Sequence, residues 1–325
     1  MATHPVLPTL IVLAAILGLL PASAWGVARY ARHRLRVLMK PTFLVSNTPT
    51  LKEGQRKQAG VLYVHVPDLR PWGHPNASPF SLKLETWLRM AGIPYVVIRG
   101  FNLRAAPKGK IPYIEIDDVI MGDSELIIQF LQKRFPEHRL PADAALTTEQ
   151  RGAALAFTRM VSEHTVACMG YSRNVENVQQ TFRAYVGLKP SDPLPFALWV
   201  VARMVRRGTG KRLALQGLGK HTRDEIYEIG ARDLKAIADF LGDKPFMMGT
   251  EPTTVDASVF AVLAEILWIP VEFPMKTYAY AELPVLDAYL HRMRKAVWGS
   301  TVEPWYVGGE EAERMHGRLG LTDKS

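Results

Sequence analysis

In this 325-residue chain, chemistry is most readily built at Ser78. A serine oxygen suits the position before a helix, and Pro79 suits the first helical position, where a missing N–H costs nothing. The free N–H groups of a helix start, with the positive end of its dipole, stabilise an anion: a thiolate, a carboxylate or a phosphate. Asp123-Ser124 offers a second start with capping side chains. Pro112 is the third feature, because it lies inside an apolar run where proline normally demotes a strand. A cis Ile111-Pro112 peptide would explain it, turning a backbone carbonyl and N–H toward the Ser78 helix end. One cysteine, Cys168, excludes an intramolecular disulfide, a two-cysteine redox pair and a cysteine-rich zinc cage. It sits in an apolar helical run and reads as buried. Chemistry here must use hydroxyls, carboxylates, imidazoles or a borrowed thiol. The histidines show no metal spacing, and no G-x-S-x-G elbow exists. Gly217-Leu218-Gly219-Lys220 fails as a phosphate loop, since Ala214 and His221 stand where Gly and Ser or Thr are required.

These residues need a scaffold, and the periodicities supply one. Phe80, Leu84, Trp87, Leu88 and Ala91 follow at helical spacing and form one stripe; Gly92 stops the helix and Pro94 forbids its continuation. Val61 to Val66 reads as a strand before it, Tyr95 to Arg99 as a second, and Ile111 to Ile116 as a third. After the turn at Asp117-Asp118, Val119 to Met121 is a fourth. Asp123 to Phe135 is the next helix, with Leu126, Ile127, Phe130 and Leu131 on its buried face. Strand, helix, strand, strand, strand, helix fits a thioredoxin-like layer. From Thr147 onward strand signals vanish. Thr148 to Tyr171 reads as one long helix, and Thr222-x-x-Glu225 is a capping box opening a helix with Ile226, Ile229, Leu234, Ile237 and Leu241 inward and Gly242 at its stop. Thr253-x-x-Asp256 is a second box. It opens a helix so poor in charge, Val259 to Ile269, that it belongs at the domain centre. Leu286, Leu290, Met293 and Val297 mark a last helix after Pro284.

The net charge is +9, but Arg29, Arg32, Arg34, Arg36 and Lys40 supply five positives in twelve residues without an acid. The rest is only mildly basic, which speaks against a nucleic-acid partner. Just before them, Val6 to Ala24 is uncharged over nineteen residues, a helix of roughly 28 Å that just spans a hydrocarbon core. Ala22-Ser23-Ala24 resembles a cleavage site, yet the arginines follow the apolar run instead of preceding it. By the positive-inside bias the reading is an uncleaved single-pass anchor with the folded part facing the cytosol. A second basic run, Arg203, Arg206, Arg207, Lys211 and Arg212 behind Phe196 to Ala202, reads as a solvated helix end; the alternative is an anionic membrane surface.

SPFSLKLETWLRMAGIPY (Ser78 to Tyr95), PKGKIPYIEI (Pro107 to Ile116) and DSELIIQFL (Asp123 to Leu131) resemble the glutathione-transferase-like domain of the failed axon connections and metaxin group. The resemblance continues in LQGLGKHTRDEIYEIGARDLKAIADFLGDKPFMMGTEPTTVDASVF, Leu215 to Phe260. It implies a glutathione-transferase fold, with 61–136 as thioredoxin-like domain and 147–309 as all-helical domain; outside the resemblance, composition reads residues 1–28 as transmembrane anchor, 29–60 as basic flank and tether and 310–325 as flexible tail. The resemblance also implies roles. Ser78 would face the sulfur of glutathione, and the backbone at Ile111-Pro112 would pair with its cysteinyl part. The helix end and Ser124 would take the γ-glutamyl carboxylate, and Asp123 its ammonium. Lys108 or Lys110 would reach the glycyl carboxylate. Relatives often carry Cys three residues after the first position, where this chain has Ser81, so dithiol exchange is excluded. The expectation is a membrane-anchored protein that uses glutathione as co-substrate, without a metal, and conjugates it to an apolar electrophile. The alternative is a non-catalytic, metaxin-like interaction or protein-sorting component, with a homodimer or a membrane protein as partner. A mitochondrial outer membrane and a bacterial inner membrane are not distinguished.

Overall fold

The parallel pairing of two short strands sets the frame. A computed structural model describes residues 50–51, 60–67, 76–100, 105–186 and 188–299. The leader, the basic flank, the tail and most of the Pro67 to Ala77 loop, with Trp72 and His74, lie outside them. Within the described residues β2 (Tyr63–Val66) leads into α1 (Pro79–Met90), which returns to β3 (Val96–Arg99) parallel to β2. β4 (Tyr113–Ile116) and β5 (Val119–Gly122) form a hairpin antiparallel to β2, followed by α2 (Ser124–Arg134). β1 (Thr50–Leu51), in the stretch read as a tether, pairs in parallel with β3, completing the order β1-β3-β2-β4-β5.

Val64, Val66, Ile114 and Ile116 pack one sheet face against Leu84, Trp87 and Leu88 of α1 and Ile127, Ile128 and Leu131 of α2. Two expected core positions face out: Phe80 is 36% exposed and Leu126 44%. Ser81, Leu82, Lys83 and Glu85 are buried instead. A period marks one apolar stripe, but α1 is covered on a second side by the helical half.

That half is built on α9 (Thr254–Leu267), buried from Val255 to Leu267 as its charge-poor sequence requires. Around it run α3 (Pro141–Ala144), α4 (Thr148–Arg159), α5 (Val166–Tyr171), α6 (Val178–Tyr185), α7 (Phe196–Gln216), α8 (Arg223–Leu241), α10 (Pro274–Glu282) and α11 (Pro284–Met293). The rod expected over Thr148 to Tyr171 is continuous but widens at Met160–Thr165 and again at Ser172–Glu176. At the first, Thr165 Oγ1 donates to Asp233 Oδ2 at 2.8 Å, and at the start of the second Ser172 Oγ donates to the carbonyl of Cys168 at 3.3 Å. The two halves are stitched through α1: Trp87 Nε1 donates to Thr254 Oγ1 at 3.0 Å, and Trp298 Nε1 to Thr86 Oγ1 at 3.2 Å. No helix among the described residues is long and apolar enough to cross a membrane.

Candidate functional site

Register decides which expected residues meet. His65 lies opposite Tyr113, and Tyr113 opposite Gly122. The end of β2, Pro112 before β4 and Asp123 after β5 therefore share one end of the sheet. The chain leaving β2 comes back at Asn76 to start α1, so both helix starts belong to this end. One turn into α1, Lys83 Nζ lies 3.8 Å from Glu125 Oε2 in the first turn of α2.

Each expected residue has a definite setting. Ser78 is half-buried and caps α1, accepting from Ser81 N at 3.4 Å. That contact uses a lone pair and leaves the hydroxyl proton available. The Ile111-Pro112 peptide is cis, and Pro112 is buried immediately before the strand, not within it. Asp123 adopts φ +84, and its Oδ1 accepts from Glu125 N at 3.0 Å and Leu126 N at 3.3 Å. The helix end is thus less open than expected, because Asp123 occupies two of its N–H groups. Oδ2 and the buried Ser124 are what remain for a ligand's charged groups. Lys110 is exposed beside the cis bond. Lys108 lies over β5: Pro107 Cδ and Lys108 N come within 3.7 and 3.8 Å of where a Gly122 Cβ would stand, an ordinary packing contact.

Two hydroxyls next to these features are buried without a hydrogen-bond partner among the described residues: Ser81 Oγ, one turn after Ser78, and Tyr113 Oη, directly after Pro112. Burial pushes the Tyr113 phenol up from its ordinary range. Orphaned polar atoms of this kind cost free energy, and a polar ligand at the sheet end is one way to recover it.

The helical half grips the Ser78 end from behind. Arg173, 4% exposed, donates through Nη1 to Glu265 at 2.7 Å and through Nη2 to the carbonyl of Ala77 at 3.2 Å, and it also bonds Tyr185. Asn76 donates to Glu85 at 2.8 Å and accepts from Ser78 N at 3.0 Å. None of Arg173, Asn76 and Lys83 was read from the sequence. Glu265 carried a signal, being the one acid late in an otherwise apolar central helix; a buried charge there demands a cation. Burial lowers the Lys83 ammonium from its usual range, while Glu125 and then Asp123 oppose that shift. Arg159 closes on Glu125 at 2.9 Å. Among the described residues no three His, Cys, Asp or Glu gather as a metal site.

The glutathione S-transferase N-terminal domain pattern matches residues 79–179, and the glutathione S-transferase C-terminal domain pattern matches 230–293. The isoprene-epoxide–glutathione S-transferase of Rhodococcus is 30% identical over 72% of this chain and 97% of its own length. The chain belongs to the glutathione S-transferase family. Within it the chain falls in the failed axon connections and metaxin group. Failed axon connections of Drosophila melanogaster is 32% identical over 68% of this chain, which spans about half, 54%, of that protein. Human metaxin-2 is 24% identical over 58% of this chain and 70% of its own length.

Proposed function

We propose that this chain binds glutathione at the sheet end and transfers it to a small apolar electrophile. The observation that carries the reading is the convergence of the cis Ile111-Pro112 peptide, the Asp123-Ser124 helix start and the Ser78 helix start at one end of the sheet. Ser124 and the start of α2 take the γ-glutamyl carboxylate, Asp123 Oδ2 its ammonium, the backbone at Ile111-Pro112 the cysteinyl part, and Lys110 or Lys108 the glycyl carboxylate. The Ser78 hydroxyl donates to the sulfur, which with the helix end lowers the thiol pKa and releases its proton to solvent. The thiolate then forms a C–S bond to the electrophile, held against the helical half, as the C–O or C–halide bond breaks; the oxygen or halide takes the electron pair, and the alkoxide of an opened epoxide takes a proton from solvent. The Rhodococcus relative is named for an epoxide, and a strained, apolar epoxide is the acceptor this reading favours. Conjugation measured on such an epoxide tests it: Ser78→Ala should lose turnover by about 10- to 1,000-fold, with the fold retained. Unchanged turnover in Ser78→Ala overturns the role given to that hydroxyl.

Membrane placement belongs to the same proposal. The apolar leader Val6 to Ala24 anchors the chain as a single pass, with the folded part facing the cytosol. The metaxin relatives favour a second reading, a non-catalytic partner of membrane proteins. A stable membrane-protein complex that forms while glutathione leaves the melting temperature unchanged would select it.

A further inference from the structure

The outer face of α7 has no role in the chemistry above, yet its composition is unusual. Over 21 residues, Phe196–Gln216, it carries five cations and no acid. Leu198, Val201, Ala202 and Leu213 bury its inner side. Outward at helical spacing stand Phe196, 78% exposed, then Trp199, Arg203, Arg206 and Arg207. Phe196 stacks on Trp199 with centroids 6.0 Å apart, and the Arg203 guanidinium lies over the Trp199 ring at 5.7 Å. The three arginines with Val175 and Gly210 line an open cleft of about 340 Å³. Nothing lies within 4 Å of where a Gly210 Cβ would stand, so the end of the cleft is unfilled. The acid next in sequence to that cleft, Glu176, is already engaged by Arg223 and Tyr227 and does not neutralise it.

We propose that this face of α7 docks on an anionic phospholipid bilayer, with Phe196 and Trp199 entering the interface and the arginine cleft receiving headgroup phosphates. A solvated helix end explains the arginines but not a stacked aromatic pair held out in water. The combination of an acid-free cationic face with aromatic residues at one end is what an interfacial helix needs. Charge complementarity selects anionic lipid over neutral lipid. The helix lies on the surface and does not enter it. The inference is independent of the glutathione reading, since α7 contributes nothing to the sheet end.

Cys168 is fully buried, so Met204→Cys, at an exposed position on α7, gives one reactive thiol for an environment-sensitive fluorophore. The full-length chain is reconstituted in vesicles of phosphatidylcholine with and without phosphatidylglycerol. The expected result is a blue shift only with the anionic lipid, reversed by high salt. In Arg203→Glu/Arg206→Glu/Arg207→Glu the response should need at least about 100-fold more anionic lipid, at about fivefold per cation lost and before the added acids are counted, with unchanged circular dichroism. Because the apolar leader is present in every sample, a shift equal in both lipids, or one surviving the triple reversal, overturns the proposal. So does binding to soluble polyglutamate without any response to vesicles, which would assign the face to an acidic protein.

Discussion

Replacing Asp256 by alanine is the perturbation that can be weighed most fully. Its Oδ1 accepts from Met247 N at 2.8 Å and Tyr289 Oη at 3.0 Å; its Oδ2 accepts from Thr253 N and Thr253 Oγ1, both at 2.8 Å. All of these groups are buried, and alanine would strand Met247 N, Thr253 N and Thr253 Oγ1, leaving Tyr289 Oη only the backbone carbonyl of residue 256 at 3.3 Å. Four bonds to a charged acceptor, taken singly at about 1.5–3 kcal/mol, sum to about 6–12 kcal/mol. That sum is too large, because burial of the carboxylate itself opposes folding and pushes its pKa up. Breaking a buried charged network by removing one partner costs about 3–5 kcal/mol, and about 4 kcal/mol is expected here. For a chain of this size that lowers the melting temperature by about 8–16 °C. Asp256→Asn keeps the two Oδ1 bonds but turns an N–H toward that of Thr253, so about 2–3 kcal/mol is expected. Ala257 belongs to the core of the first half, and Thr254 holds Trp87, so both halves should unfold in one shifted transition. Urea unfolding followed by far-ultraviolet dichroism and tryptophan fluorescence measures this. A loss for Asp256→Ala under about 1 kcal/mol, within the ordinary surface range, or two separated transitions, would refute the reasoning.

Three further expectations follow from named contacts. Ser78→Ala should cost only about 0.5–1 kcal/mol of stability, because the cap bond it removes is long, and chemical denaturation reads that directly. Gly230→Ala should destabilise although helix propensity favours alanine by about 1 kcal/mol: the new Cβ would stand 2.4 Å from Met275 Sδ and 3.1 Å from Cys168 Cβ, and a gain in melting temperature would contradict that packing. Burial pushes the Cys168 thiol up to about 12, so a disulfide reagent should find no thiol in the native chain and one after denaturation. The sign of the linked pH effect is fixed too. The folded pKa is raised, so this contribution to stability is full below the unfolded thiol's pKa of about 8.5 and is lost as pH rises toward the folded value. Cys168→Ala should flatten that alkaline decline.

What was legible in the sequence was local. The Thr222–Glu225 box forms with Thr222 N donating to Glu225 at 2.7 Å, Gly92 and Gly242 take positive φ at their helix stops, and the Pro112 anomaly marks a cis peptide. Each of these needs only neighbours along the chain. Lys83 and Arg173 were not legible, because their burial comes from the approach of two halves distant in sequence. Phe80 and Leu126 were misplaced for the same reason: periodicity ranks faces of an isolated helix but does not show how many faces become covered. At the sheet end, Ser78, Pro112 and Asp123-Ser124 were readable, whereas Asp123 closing its own helix was not.

Calorimetric titration of the full-length chain with glutathione tests the sheet-end site most directly. Saturable binding in the millimolar range or tighter is expected, weakened in Ser124→Ala, with a thiolate absorbance that Ser78→Ala diminishes. A chain that gives no heat and no shift in melting temperature at glutathione raised to about ten times a millimolar Kd would contradict it, since a ligand at that excess should add about 1.4 kcal/mol of stability.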